Sequence, residues 1–171
     1  MRTSTKKISR GYSLVEMVIY VAILSVISLL AINTILSFGP SYHTLLAYRS
    51  AENSGVLSME RMSRDIRSAT SVDTANSTLG TSPGVLTLVA TSNNVSTTTK
   101  FYVQNSVLKV DINGTYFGPL SEASSSITSL IFRVLSGNTS SAVKVDMTVQ
   151  GKAGAITEVK TYHATIILRG S

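Results

Sequence analysis

The residues best placed to do chemistry lie in one stretch near the N-terminus, Lys6-Lys7-Ile8-Ser9-Arg10-Gly11-Tyr12-Ser13-Leu14-Val15-Glu16-Met17. A basic leader is followed by a glycine, an aromatic, three small or apolar residues and a carboxylate. From Met17 to Leu36 there is then no charged residue, and the only polar interruptions are Tyr20, Ser25, Ser28, Asn33 and Thr34. In a helix, at ~1.5 Å per residue, this run matches the ~30 Å hydrocarbon core of a bilayer. Glu16 at its head is the anomaly, because a carboxylate deep in lipid costs ~2.5–3.5 kcal/mol, and less near the interface.

Other candidate sites dissolve on inspection. Asp111-Ile112-Asn113-Gly114-Thr115 begins like a calcium loop and Glu122 falls at the twelfth position, but the sixth is Tyr116 where such a loop turns on glycine. Asn113-Gly114 reads more simply as a tight turn. His43 and His163, the only histidines, are far apart in sequence with no acid cluster beside them, so neither a metal pair nor a catalytic base is predicted. No Gly-x-Ser-x-Gly and no Gly-rich phosphate loop is present. Arg61, Arg64 and Arg67 read as a solvated helix face paired with Glu60 and Asp65 rather than a phosphate or headgroup site. Asn76, Asn94, Asn113 and Asn138 each open an Asn-x-Ser/Thr triplet, a chance frequency in so Ser/Thr-rich a chain. No catalytic residue, metal or cofactor is predicted, and no enzyme.

Composition narrows the class. The 171 residues suffice for one domain and an extra element, and only 14% are charged. Arg2, Lys6, Lys7 and Arg10 supply four of the fifteen basic residues of a chain whose net charge is +6, with no acid among them. Basicity just before an apolar span is the positive-inside signal, not a nucleic-acid footprint. Cysteine is absent, which excludes disulfide and thiolate chemistry.

Three readings of the N-terminus compete. A secretory signal peptide needs an apolar region of ~7–15 residues, shorter than this one, and its cleavage site at Ser37-Phe38-Gly39 would place Pro40 after the scissile bond. A plain signal anchor explains the flank and the length but gives Glu16 no role beyond snorkelling. The third reading uses every feature: Gly11-Tyr12-Ser13-Leu14-Val15-Glu16 resembles the type IV prepilin processing motif. That resemblance implies cleavage after Gly11, methylation of the new N-terminal Tyr12, where the family usually has phenylalanine, and an assembly role for Glu16. It implies as partners a prepilin peptidase/methyltransferase, other pilins or pseudopilins, and the membrane.

The elements that must position this stretch follow from periodicity. Gly39-Pro40 is expected to kink or locally melt the helix. Beyond it Leu45, Tyr48, Val56, Met59, Met62, Ile66 and Ala69 recur at mostly three- or four-residue steps, interrupted by Glu52, with Arg49, Asn53, Arg61, Arg64 and Arg67 opposite. This predicts an amphipathic helix packed on a sheet. If the pieces are continuous, the helix runs from about Ser13 to Ala69, on the order of 85 Å. Thr70 to Ser82 reads as a loop. Strands are predicted at Val85–Val89, at Phe101–Val103 and Val107–Val110 around an Asn105-Ser106 turn, near Leu130–Leu135 (buried on both sides apart from Arg133), at Val143–Val149 and at Tyr162–Leu168. The expected class is α+β: a long N-terminal helix, half transmembrane and half amphipathic, on an antiparallel sheet. Met62-Ser63-Arg64-Asp65-Ile66-Arg67-Ser68-Ala69 and the strand order resemble J-type minor pseudopilins and W-type minor pilins.

The expected organisation is a leader at 1–11, a transmembrane and assembly helix at 12–38, its amphipathic continuation at 39–69 and a β domain at 70–171. The resemblance implies a minor pilin or pseudopilin, with its N-terminus cytoplasmic and its C-terminal domain extracytoplasmic, held in the cytoplasmic membrane and then in a pilus or pseudopilus. The rival is a monomeric, membrane-anchored extracytoplasmic binding domain.

Overall fold

The computed structural model describes residues 13–93, 95–137 and 140–169, and its chain divides into two compact units, Met1–Ser41 and Tyr42–Ser171. Helix α1 is Leu14–Ser68. It continues through Gly39-Pro40, so the local melting expected there does not occur.

In the second unit the fold is α+β, with the strands divided between two antiparallel sheets rather than gathered in one. The first is a meander of β1 (Ser71–Val72), β2 (Leu86–Ser92), β3 (Val95–Gln104), β4 (Val107–Ile112) and β5 (Thr115–Pro119). The second is β6 (Ser125–Ser136), β7 (Ser141–Ala153) and β8 (Ile156–Ile167), in that order. The sheets stay separate because the outer side of β6 is bonded by the segment leading into β2: Gly80 N donates to Phe132 O at 2.8 Å and Gly84 N to Leu130 O at 2.7 Å.

Turn chemistry sets the meander. Asn105 and Ser106 both have positive φ, as do Asn113 and Gly114, the geometry two-residue hairpins need. The Asn113-Gly114 turn, read as a tight turn in the sequence, thus opens onto β5, a strand not among those predicted. Val95 to Thr99 also joins β3, a start hidden from hydrophobic periodicity by five consecutive polar residues, Ser96 to Lys100. Thr70 to Ser82, expected as loop, contributes β1 and a bridge between Thr78 and Val85.

The core joins Met62 and Ile66 of α1 to Leu86, Phe101, Phe132 and Met147. Upstream of Met62 the helix turns a different face inward from the expected one. Leu45, Tyr48 and Val56 are exposed, and the buried face is Ala47, Ser50, Ala51, Ser54, Gly55 and Ser58. The reason is close approach: a Cβ at Gly151 on β7 would meet Ala47 O at 1.9 Å, and one at Gly55 would meet the Tyr162 ring at 2.1 Å. Three serines spaced by four then bond the 120–125 segment. Ser50 and Ser124 share a hydrogen bond of 2.7 Å, Ser54 Oγ accepts from Ser125 Oγ at 2.7 Å and from Glu122 N at 3.0 Å, and Ser58 Oγ donates to Leu120 O at 3.3 Å. Glu52, out of place in an apolar series, meets Lys160 Nζ at 3.4 Å, and that ammonium also lies over the Tyr48 ring.

β7 alternates as predicted, with Val143, Val145, Met147 and Val149 buried. β6 departs from expectation: Leu135 is exposed, so the strand is buried on one face near its end rather than on both.

Candidate functional site

Ser13 is the first described residue, and its carbonyl accepts from Met17 N at 3.1 Å, closing the first turn of α1. Gly11 and Tyr12 lie outside the described residues. Glu16 stands in that first turn, half-buried, and its Oε1 accepts from Tyr20 Oη at 2.9 Å. A carboxylate here is favoured by the unpaired N–H groups and the positive end of the helix dipole. The tyrosine one turn on steadies the side chain while leaving the second oxygen to other donors.

The surface behind it is apolar throughout. Leu14, Val15, Met17 to Leu24, Val26, Ile27, Leu29, Leu30, Ile32, Ile35 and Leu36 are all exposed, as are the polar and small residues between them other than Glu16. Three hydroxyls of this segment are retired into the helix: Ser25 Oγ donates to Val21 O, Thr34 Oγ1 to Leu30 O and Ser37 Oγ to Asn33 O, at 2.7 to 2.9 Å. Such back-bonding removes the cost of a polar group facing hydrocarbon. The segment is long and apolar enough to cross a membrane.

A second cluster escaped sequence reading. Asp146 on β7 pairs in register with His163 on β8, and their Oδ1 and Nδ1 are 2.7 Å apart. Arg133 on β6 bonds Asp146 Oδ2, and Lys144 Nζ is 3.8 Å from Oδ1. The His163 hydrogen bond first, and then the Lys144 and Arg133 charges, hold the Asp146 carboxyl below the usual range against an opposing desolvation. The available signal was parity: both residues lie on the outward face of consecutive strands. Lys160 is held above the ordinary lysine value, first by the Tyr48 hydroxyl and then by the Glu52 charge, against desolvation.

The remaining candidates have structural employment. Arg61 pairs with Asp65 at 2.9 Å and Arg64 with Glu60 at 3.4 Å, as the helix spacing predicted. Asp111 on β4 accepts from Tyr102 Oη at 3.0 Å, and Glu122 lies in the loop bonded to Ser54. Exposed His43 sets its ring against Tyr42. Among the described residues no three metal-ligating side chains converge.

A family model described as the prokaryotic N-terminal methylation motif matches residues 6–32. No curated protein and no solved structure matches the chain. The matched span takes in Gly11, Tyr12, Glu16 and most of the apolar run, so the chain carries the N-terminal methylation signal of type IV pilin-like proteins, a structural class that is processed by prepilin peptidase.

Proposed function

We propose that the chain is a minor pilin or pseudopilin, a non-enzymatic subunit that joins a membrane-rooted filament through its N-terminal helix. The observation that carries this reading is Glu16: one carboxylate, in the first turn of α1, at the head of an uncharged apolar surface. On this reading residues 1–11 are a leader that orients the chain with its N-terminus in the cytoplasm, by the positive-inside rule. Cleavage after Gly11 frees an amine at Tyr12, which becomes the methylated terminus. Residues 12–38 store the subunit in the cytoplasmic membrane, 39–69 continue the helix, and 70–171 form the extracytoplasmic domain of the pilus or pseudopilus.

Glu16 then has an electrostatic task. Unpaired in lipid it is costly, and docking against the positive N-terminus of a neighbouring subunit removes that cost. The minor assignment rests on the J- and W-like character of the helix end and strand order, and on the missing cysteines.

Processing supplies the test. Co-expressed with a prepilin peptidase, the chain is expected to lose the mass of Met1 to Gly11, and Gly11→Val to block that loss. A wild-type chain that keeps its leader would overturn the proposal and leave the plain membrane-anchored domain.

A further inference from the structure

Among the described residues, most sheet edges are closed or blunted. β1 is only two residues long. β5 is five residues, ends at Pro119 and pairs with β4 through a register shift at Val110/Asp111. Shortness, proline and a bulge are the usual defences of an edge against another chain. The outer side of β6 is filled by Gly80 and Gly84, with Ile127 N donating to Ser106 O at 2.8 Å.

β8 has none of these defences. It is 12 residues long, lacks proline, and pairs with β7 in unbroken register. Leu168 N donates to Ser141 O, which fixes the phase of the ladder. Hydrogen-bonded pairs alternate in an antiparallel ladder, so even-numbered residues bond β7. Odd-numbered residues from Thr157 to Ile167 turn their N–H and C=O outward. Arg169 keeps the phase and gives its N–H to Arg67 O at 3.2 Å. No outward group from Thr157 to Ile167 has a backbone partner among the described residues.

Beside the C-terminal part of this edge is an open cleft of about 940 Å³ between the last turns of α1 and β8. Arg64, Arg67 and Arg169 line it, with Glu60 as the opposing charge. Glu60 is already engaged by Arg64, whereas Arg67 and Arg169 have no ion pair among the described residues.

We propose that the β8 edge and this cleft form a docking site for an extended acidic segment of a partner polypeptide, which adds to the sheet beside β8. The outward backbone groups supply main-chain bonds, and alternate side chains of the segment enter the cleft. There Arg67 and Arg169 meet carboxylates through charge-assisted bonds. A phosphate or a lipid headgroup would use the arginines and leave the edge unbonded; the edge selects a peptide. The inference rests on the Tyr42–Ser171 unit alone and stands whether or not the chain enters a filament.

The full chain in detergent micelles is titrated with a labelled peptide of alternating valine and glutamate, and with its valine–lysine counterpart, by fluorescence anisotropy. Amide hydrogen exchange is followed on the same samples. The glutamate peptide should bind about ten-fold more tightly than the lysine peptide and slow exchange at Thr161, His163, Thr165 and Ile167. Thr161→Pro removes one outward N–H without touching the β7 ladder, and should weaken binding about ten-fold. A glutamate peptide N-methylated on alternate residues makes the same test from the partner's side should that variant melt early. Arg67→Glu with Arg169→Glu should reverse the preference between the peptides. Equal binding of the two peptides, unslowed exchange along β8, or unimpaired binding by the N-methylated peptide would each overturn the proposal. So would phosphatidylglycerol vesicles that bind through Arg67 and Arg169 while neither peptide does.

Discussion

Asp146 shows how much a single side chain gathers on the outward face of the three-stranded sheet: a histidine, an arginine and a lysine from three strands converge on one mostly covered carboxylate. Its depressed pKa has a definite consequence. A carboxyl whose folded value lies below its unfolded value, about 3.9, adds stability above that unfolded value and loses it as pH falls through the folded one. Asp146→Asn should therefore cost about 1 kcal/mol near neutral pH. The gap between variant and wild type should begin to narrow at about pH 3.9 and close only as pH falls through the lower folded value. Thermal melts from pH 7 to pH 2 check this, and a gap that stayed constant would refute it. The cluster was hidden in the sequence because its members are seventeen and thirteen residues apart and meet only once strand register is known. The helix-borne pairs of Arg61 and Arg64 were legible, since a spacing of four is itself the geometry.

Between elements, the contact of α1 with β7 and β8 is made of small residues where large ones were expected. Hydrophobic periodicity favours Leu45, Tyr48 and Val56, but a helix that approaches a strand backbone to backbone must turn Ala, Ser and Gly inward. Gly151→Ala should accordingly destabilise the second unit by about 2–3 kcal/mol, because the atoms its methyl group meets are backbone and cannot swing aside. Gly118→Ala, with nothing near its added methyl, should stay within about 0.5 kcal/mol of wild type. Urea unfolding of both variants measures the contrast, and equal midpoints would contradict the close approach. The hairpins fared better in sequence reading: Asn105-Ser106 and Asn113-Gly114 announce turns by residue type alone. The partition into two sheets left no such mark, since it depends on the Gly80–Gly84 segment bonding β6 across about fifty residues of chain.

Across the whole molecule, the two units have opposite surface economies. Met1–Ser41 leaves an apolar helix face without cover, while Tyr42–Ser171 buries its own core. Length and hydropathy made the first legible, and alternation made most strands of the second legible. On the proposed function Glu16 carries the assembly role, and its removal tests the filament reading at this scale. Glu16→Ala should insert and be processed normally, yet enter filaments with co-expressed pilins about ten-fold less, since half of a ~2.5–3.5 kcal/mol pairing gain corresponds to that factor. Filament shearing followed by immunoblotting checks it, and undiminished incorporation would refute the pairing role.

Ser50, Ser54 and Ser58 stand one turn apart on a single face of α1, and each is tied sideways to the 120–125 segment. A tensile load running along the helix therefore falls on the three ties in shear, all together, as on rivets in a lap joint. Peeling, in which ties fail one at a time, would need a force directed away from the joint. Within the Tyr42–Ser171 unit, that arrangement resists a lengthwise slip of the helix past the segment it is tied to.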